Sequence, residues 1–214
     1  MGMKVYGLTR APNLARVLIS LEEVRAEYEI VPVDFATREH KSQAHLVRNP
    51  FGEVPAFQDD DVMLFESRAI SRYILRKYKS ELLREDAPKE AASVDVWLDV
   101  EYGKYSVPTG AIIYNVIVKP MYDEEVDQQV VDTNLEKLNE VLEVYEARLS
   151  QCKYLAGDFI SFADLSHFPY TYYLMSTQYK SVFDSYPHVK AWWEAIMDRP
   201  SVKKIAEIMF KKEL

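Results

Sequence analysis

The hydrophobic periodicity of this chain changes once, near residue 80, and that change limits the folds open to it. Before it, short β-type runs alternate with helical stripes. Lys4-Val-Tyr-Gly7 reads as a strand, and Pro12 followed by Leu14, Val17, Leu18 and Leu21 reads as a helix with proline in its first turn. Tyr28-Glu-Ile-Val-Pro-Val33 reads as a second strand, so the opening is a β-α-β unit with a parallel crossover. Pro55-Ala-Phe-Gln58 and Val62-Met-Leu-Phe65, separated by Asp59-Asp60-Asp61, read as an antiparallel hairpin. Glu66 to Lys79 then sets Ala69, Ile70, Tyr73, Ile74 and Tyr78 along one helical stripe. The predicted order is β-α-β followed by β-β-α.

Beyond it the texture is helical only. Val94, Trp97, Leu98 and Tyr105 recur at helical spacing, as do Val131, Leu135, Leu138, Leu142 and Tyr145. Helices are expected over 89–119, 124–150, 162–178, 187–198 and 201–212. Pro108 is expected to disturb the first, because it removes a ladder bond and crowds the preceding turn. Ser161-Phe-Ala-Asp164 is a capping box, with Ile160 and Leu165 spaced as a hydrophobic staple. The division this predicts is a mixed domain over 1–80, a polar linker over 81–88 and an all-helical domain over 89–214.

Charge and cysteine content narrow the function. A formal net charge of −8 disfavours nucleic acid and anionic membranes as partners, since both demand a positive field. The single cysteine, Cys152, cannot form an internal disulfide and supplies no CxxC, which points to a reducing compartment and leaves Cys152 as a bystander. No apolar run reaches the roughly 18 residues a membrane span needs, and the N-terminus lacks the layout of a signal peptide, so the cytoplasm is the expected location. No P-loop, GxGxxG, HExxH or Ser-His-Asp arrangement is present.

The residues with chemistry to offer lie mostly in the first 80. Val54-Pro55 opens the third strand, where proline is awkward unless its peptide bond has a purpose, and both the cis and the trans form stay open. That element order with an X-Pro at this point is the thioredoxin-like arrangement, in which the residue before the proline pairs through its backbone with an extended peptide. Glu66-Ser67-Arg68 begins a helix whose N–H groups and hydroxyl suit a carboxylate. His40-Lys41 offers two donors after the second strand. A metal there is not expected, because His45 sits five residues on and off the same helical face, and His167 and His188 lack companions at ligand spacing.

Four blocks in this order, Glu39-His-Lys-Ser42, Asn49-Pro-Phe-Gly-Glu-Val-Pro-Ala-Phe-Gln58, Phe65-Glu-Ser-Arg-Ala-Ile-Ser71 and Ser161-Phe-Ala-Asp-Leu165, together with Asp198-Arg-Pro200, resemble the plant phi class of glutathione transferases over essentially the whole chain. The resemblance implies a thioredoxin-like domain that binds glutathione as co-substrate, an all-α domain that shapes a pocket for an apolar electrophile, no metal, and a homodimer in which Phe51 is an apolar key. It also implies roles for individual residues. His40 and Lys41 match positions near the glycine carboxylate, Val54 the backbone that pairs with the cysteinyl unit, Pro55 the cis proline, and Glu66 and Ser67 the γ-glutamyl clamp. Glu53 stands where the family often has Gln or Lys, and its carboxylate is expected to weaken binding. Leu8, Ala11, Pro12 and Phe35 are expected to line the electrophile pocket, with Tyr114, Val118 and Met121 facing them and Tyr170 or Tyr173 contributing.

The chain departs from the family at the first helix. Phi-class chains resemble one another in a Ser-Thr before an Asn-x-Ala-Arg helix start, the serine hydroxyl stabilising the glutathione thiolate. Here Asn13, Ala15 and Arg16 match, while Ala11 takes the serine position and Pro12 the threonine. A hydrogen bond to a charged group contributes about 1.5–3 kcal/mol, so its loss raises a thiol pKa by about 1–2 units. Thr9, Arg10 and Asn13 are the candidate substitutes. The expectation is therefore a transferase with impaired thiol activation. Its alternatives are a carrier of flavonoid-like planar molecules and, less well supported, a dimer with no ligand.

Overall fold

The structure is a computed structural model and describes residues 2–210. Contacts gather these residues into two compact units. One holds the residues up to Ser80 together with those from Pro200 on, the other Glu81–Arg199.

The first unit is built on β1 (Met3–Gly7), β2 (Tyr28–Pro32), β3 (Ala56–Asp59) and β4 (Val62–Phe65), in the sheet order β2-β1-β3-β4. β1 and β2 run parallel, with Val5 opposite Ile30, while β3 is antiparallel to both β1 and β4. This is the thioredoxin-like arrangement the element order predicts. Helices α1 (Pro12–Glu23) and α3 (Ser67–Lys77) pack against each other, and Val5, Leu14, Leu18, Phe57, Ile70 and Ile74 are buried. Strand alternation turns Tyr6 and Ala56 the other way, into a small cluster with Val33, Val31 and Val54. The Arg48 guanidinium lies over the Tyr6 ring at 4.3 Å. Between β2 and β3 the chain makes a 3₁₀ turn, Glu39–Lys41, and the short α2 (Gln43–Leu46).

α11 (Pro200–Phe210) belongs to this unit: Ser201 bonds Glu23, and Lys204 pairs with Glu22 at 2.8 Å. The sequence division assigns that segment to 89–214. Residues 211 and 212 of the predicted last helix lie outside the described residues. The segment read as a polar linker holds a 3₁₀ turn, Glu81–Leu83, in which Leu82 and Leu83 are buried and Arg84 pairs with Glu81 and Glu90.

In the second unit a long helical run is divided into α4 (Pro88–Val100), α5 (Ser106–Ile113) and α6 (Lys119–Met121) by two π turns, Glu101–Tyr105 and Tyr114–Val118. Proline explains both turns. Pro108 and Pro120 have no N–H to give to the carbonyl four residues back, and those residues, Lys104 and Val116, lie within the wider turns. The disturbance expected at Pro108 therefore takes the form of a change of register. α7 (Gln128–Leu149) starts where Asp127 accepts from the Val130 N–H. The predicted helix 162–178 is broken into α8 (Phe162–Ser166) and α9 (Phe168–Met175), because Pro169 cannot continue the ladder.

Buried polar groups fix the interior of this unit. The Asp164 carboxylate accepts from Ser161 N, as the capping box requires, and also from Ser161 Oγ, Leu155 N and Trp192 Nε1, the last at 3.0 Å. His167 is also buried. Its Nδ1 donates to the Ala163 carbonyl, which can only accept, and Nε2 accepts a hydrogen bond from the Tyr145 hydroxyl at 2.8 Å. Burial pushes the Tyr105 and Tyr145 hydroxyls above the ordinary tyrosine range. The two histidines read as structural from sequence have these roles, since His188 joins Glu146 at 2.6 Å.

Glu146, on α7, also accepts from the His188 and Val189 N–H groups, capping the start of α10 (Pro187–Met197) from 42 residues away. Burial raises its carboxyl pKa, but the bonds from Val189 and His188 outweigh burial and hold it below the ordinary value of 4.5. A lowered carboxylate pKa stabilises the fold above the unfolded value and loses that effect as pH falls. Glu146→Ala should therefore cost about 1–3 kcal/mol at pH 7, and the difference should narrow once pH drops below 4.5, as measured by urea unfolding at both pH values.

Candidate functional site

Three segments of the first unit converge. β3 pairs with β4 through the rung Ala56–Phe65, so one step further along the hairpin Pro55 and Glu66 are neighbours. The Val54-Pro55 bond is cis, as expected. β1 ends at Gly7, and a Cβ there would stand 2.8 Å from Leu14 Cδ1 and 3.5 Å from Val54 Cβ, so a larger residue would have to push the end of Leu14 aside. The loop that leaves Gly7 therefore starts beside Val54.

That loop turns through Leu8, whose carbonyl accepts from the Ala11 N–H at 2.8 Å, with Thr9 and Arg10 as the two central residues. Ala11 is the N-cap of α1, and its methyl group gives the helix no side-chain cap. The Ala11 carbonyl accepts from both Leu14 N and Ala15 N. Pro12 has no N–H, so Asn13 carries the backbone donor left at this helix end. No acidic residue lies in the first turn, so the positive end of the helix dipole is uncompensated there.

At the start of α3, Glu66 is the N-cap residue, with φ 69° and ψ 106°, a sparsely populated conformation for a side chain other than glycine. Ser67 is buried, and its hydroxyl accepts from Arg16 Nη1 at 2.9 Å. The same nitrogen donates to Asn13 Oδ1 at 2.7 Å. Arg16 is fully buried. Its own carbonyl accepts from the hydroxyls of Ser20 and Ser71. One guanidinium thus joins the beginning of α1 to the beginning of α3. Sequence reading used Arg16 only as part of a matching run, although a signal was there: Leu14 to Leu21 is apolar all round except for Arg16 and Ser20, so a lone charge in it has to be paired inside the protein.

His40 and Lys41 stand on the 3₁₀ turn, next to the loop that leads to Val54. Lys41 Nζ donates to the Phe51 carbonyl at 3.0 Å, and the Glu53 carbonyl is held by His45 Nε2 at 2.8 Å and Asn49 Nδ2 at 3.0 Å. Gly52 has φ 62°, and a Cβ there would collide with the His40 carbonyl at 2.8 Å, so the loop is fitted to the turn. The Glu53 side chain itself is exposed. His40 stacks on Phe35, ring centroids 4.2 Å apart, and burial followed by the charges of Lys41 and Arg38 lowers its pKa. Seven residues expected to bind glutathione, His40, Lys41, Glu53, Val54, Pro55, Glu66 and Ser67, therefore lie on this unit around the ends of β1, β3 and β4.

Of the residues expected to line an apolar pocket, Leu8, Ala11 and Pro12 are half-buried along the loop and Phe35 is exposed beside His40. In the helical unit Tyr114 and Met121 are exposed and Val118 is half-buried, all near the second π turn. Tyr170 packs on Gly110, where an added Cβ would meet its ring at 3.3 Å. Cys152 gives its thiol to the Arg148 and Tyr154 carbonyls, and burial pushes its pKa up, away from a reactive thiolate. Among the described residues no group of three or more His, Cys, Asp or Glu could hold a metal ion, and no helix is long and apolar enough to cross a membrane.

Comparison with known proteins agrees with this layout. The glutathione S-transferase N-terminal domain model matches residues 1–76 and the C-terminal domain model residues 109–200. A probable glutathione S-transferase of Oryza sativa subsp. japonica is 62% identical over 211 residues, covering 97% of this chain and 96% of that protein. Glutathione S-transferase 1 of Zea mays is 58% identical, covering 97% of each. The solved structure of maize glutathione S-transferase I in complex with an atrazine glutathione conjugate superposes with a TM-score of 0.96 at 57% identity, over 100% of both chains. A chain matched by both domain models, and more than half identical to plant enzymes along nearly its whole length, belongs to the glutathione S-transferase family, in its phi class.

Proposed function

We propose that the chain joins the sulfur of glutathione to apolar electrophiles and that its activation of the thiol is impaired, because Ala11 brings no hydroxyl to the sulfur. The observation that carries this reading is the arrangement around Arg16, where the start of α1, with Ala11 as its N-cap, and the start of α3 are joined by one guanidinium. The tripeptide would lie with its cysteinyl unit on the Val54 backbone, its γ-glutamyl carboxylate on Ser67 and the first turn of α3, and its glycine carboxylate toward His40 and Lys41. The exposed Glu53 carboxylate repels that end and weakens binding. The glutathione conjugate held by the maize relative supports this assignment.

In the reaction the thiol proton passes to solvent, the thiolate attacks the electrophilic carbon, a C–S bond forms, and a leaving group such as chloride departs with the bonding pair. Leu8, Ala11, Pro12 and Phe35 of the first unit would supply apolar surface for the electrophile. We read the chain as a cytoplasmic homodimer, with the exposed Phe51 as the key residue of the interface.

One observation favours a second reading. With only a methyl group at the N-cap, the same surfaces suit a carrier of flavonoid-like planar molecules that turns over little glutathione. Retention on immobilised glutathione and turnover of a chlorinated dinitroaromatic separate the two. The transferase reading expects retention and measurable turnover that climbs with pH. Retention together with tight planar-ligand binding and no turnover at any pH would favour the carrier, and failure to bind glutathione would contradict both.

A further inference from the structure

The geometry points to Asn13 as the group that donates to the glutathione sulfur in place of the missing hydroxyl, and to Arg16 as the positioning residue that aims both Asn13 and Ser67. This rests on reading the first unit as a glutathione site, and it adds the element that reading lacks.

A guanidinium is charged at any pH the fold survives and has only donors, so the atoms it meets must be acceptors. Arg16 Nη1 spends one proton on Asn13 Oδ1 at 2.7 Å and the other on Ser67 Oγ at 2.9 Å. The first bond settles which way the Asn13 amide faces: its oxygen points to Arg16, so its NH₂ group is turned away, and no acceptor among the described residues takes it up. The nearby charge polarises the amide and makes that NH₂ a stronger donor, and full burial of Arg16 keeps water from weakening the effect. Asn13 lies two residues beyond Ala11, in the first turn of α1, at the end of the helix where the family's serine acts.

The second bond occupies a lone pair of Ser67 and leaves its own proton for the γ-glutamyl carboxylate. Two bonds from one nitrogen therefore fix the spacing between the thiol end and the γ-glutamyl end of the site. The other candidates are placed less well. Thr9 and Arg10 are the central residues of the turn closed by Leu8 and Ala11, and Arg10 is exposed, where solvent screens its charge.

The test is the pH dependence of conjugation for full-length Asn13→Ala, Arg16→Lys and the double variant, with glutathione affinity measured by calorimetry and folding checked by circular dichroism. Asn13→Ala should raise the apparent thiol pKa by about 1–2 units, reducing turnover at neutral pH about tenfold or more, while glutathione affinity changes little. Arg16→Lys keeps the charge but not the two-proton geometry. It should raise the same pKa and also weaken glutathione binding, through Ser67. The double variant should show no further pKa shift beyond the single ones, because Arg16 acts on the sulfur through Asn13. If Arg16→Lys fails to fold, the Asn13→Ala profile and the ultraviolet thiolate band of bound glutathione decide the matter alone. An unmoved pKa in folded Asn13→Ala overturns this inference while leaving the glutathione site standing. Loss of glutathione binding by the unsubstituted chain overturns the site itself.

Discussion

Replacing Ala11 by serine should increase conjugation turnover near neutral pH about threefold and also stabilise the protein by about 1 kcal/mol. The two gains share one cause. Ala11 is the N-cap of α1 and contributes no side-chain bond there. A serine hydroxyl has two acceptor lone pairs and one proton. The lone pairs can accept from the backbone N–H of Asn13, which stabilises the helix start, while the proton is given to the sulfur. With a reference thiol pKa near 8.5 lowered about one unit by Asn13, roughly a quarter of the bound thiol is ionised at pH 7, so a further unit from the serine raises the reactive fraction roughly threefold. Turnover of a chlorinated dinitroaromatic and a urea midpoint, each measured for both proteins, check the two halves. A gain in stability without a gain in turnover would mean that the serine caps the helix but does not reach the sulfur.

The largest loss of stability is expected at Asp164. Its carboxylate receives four donors, Leu155 N, Ser161 N, Ser161 Oγ and Trp192 Nε1, and both it and Ser161 are fully buried. Asp164→Ala leaves those donors without an acceptor where water cannot replace it. Each orphaned donor costs about 1–3 kcal/mol, relaxation recovers part of the sum, and a net loss of about 3–5 kcal/mol follows. Asp164→Asn keeps one acceptor and should cost less. Tryptophan fluorescence during urea unfolding reads the change directly, since Trp192 is one of the donors. A loss below about 1 kcal/mol would mean that the donors find other partners.

The difference between what was legible in the sequence and what was not follows the range of the interactions. The strands, α1, α3 and the capping box at Ser161 were legible because each is set by residues within a few positions of one another. The π turns were not. A proline announces that a ladder bond is lost, but only the packed helix shows that the chain answers by widening the turn before Pro108 and Pro120. The donors that make Asp164 a hub, Leu155 and Trp192, and the cap that Glu146 places on α10, come from 9, 28 and 42 residues away. Periodicity does not register pairings of that kind.

The site divides in the same manner. The X-Pro position, the Glu66-Ser67 helix start and the absence of a hydroxyl at Ala11 are local and were legible. The link from Arg16 to Ser67 spans 51 residues. It needed the fold, because α1 and α3 adjoin only after β3 and β4 have turned the chain back. Once they do, Asn13 ceases to be one of three comparable candidates, since its amide is the one whose orientation is fixed by a buried charge.

Proton release on glutathione binding tests the central claim most directly. Titration calorimetry at pH 7 in buffers of different ionisation enthalpy counts the protons that leave when the tripeptide binds, and so reports the ionisation of its thiol in the site. The unsubstituted chain should bind glutathione and release well under one proton, and Ala11→Ser should release distinctly more. Absence of binding, or release of a full proton by the unsubstituted chain with no increase in Ala11→Ser, would contradict that claim.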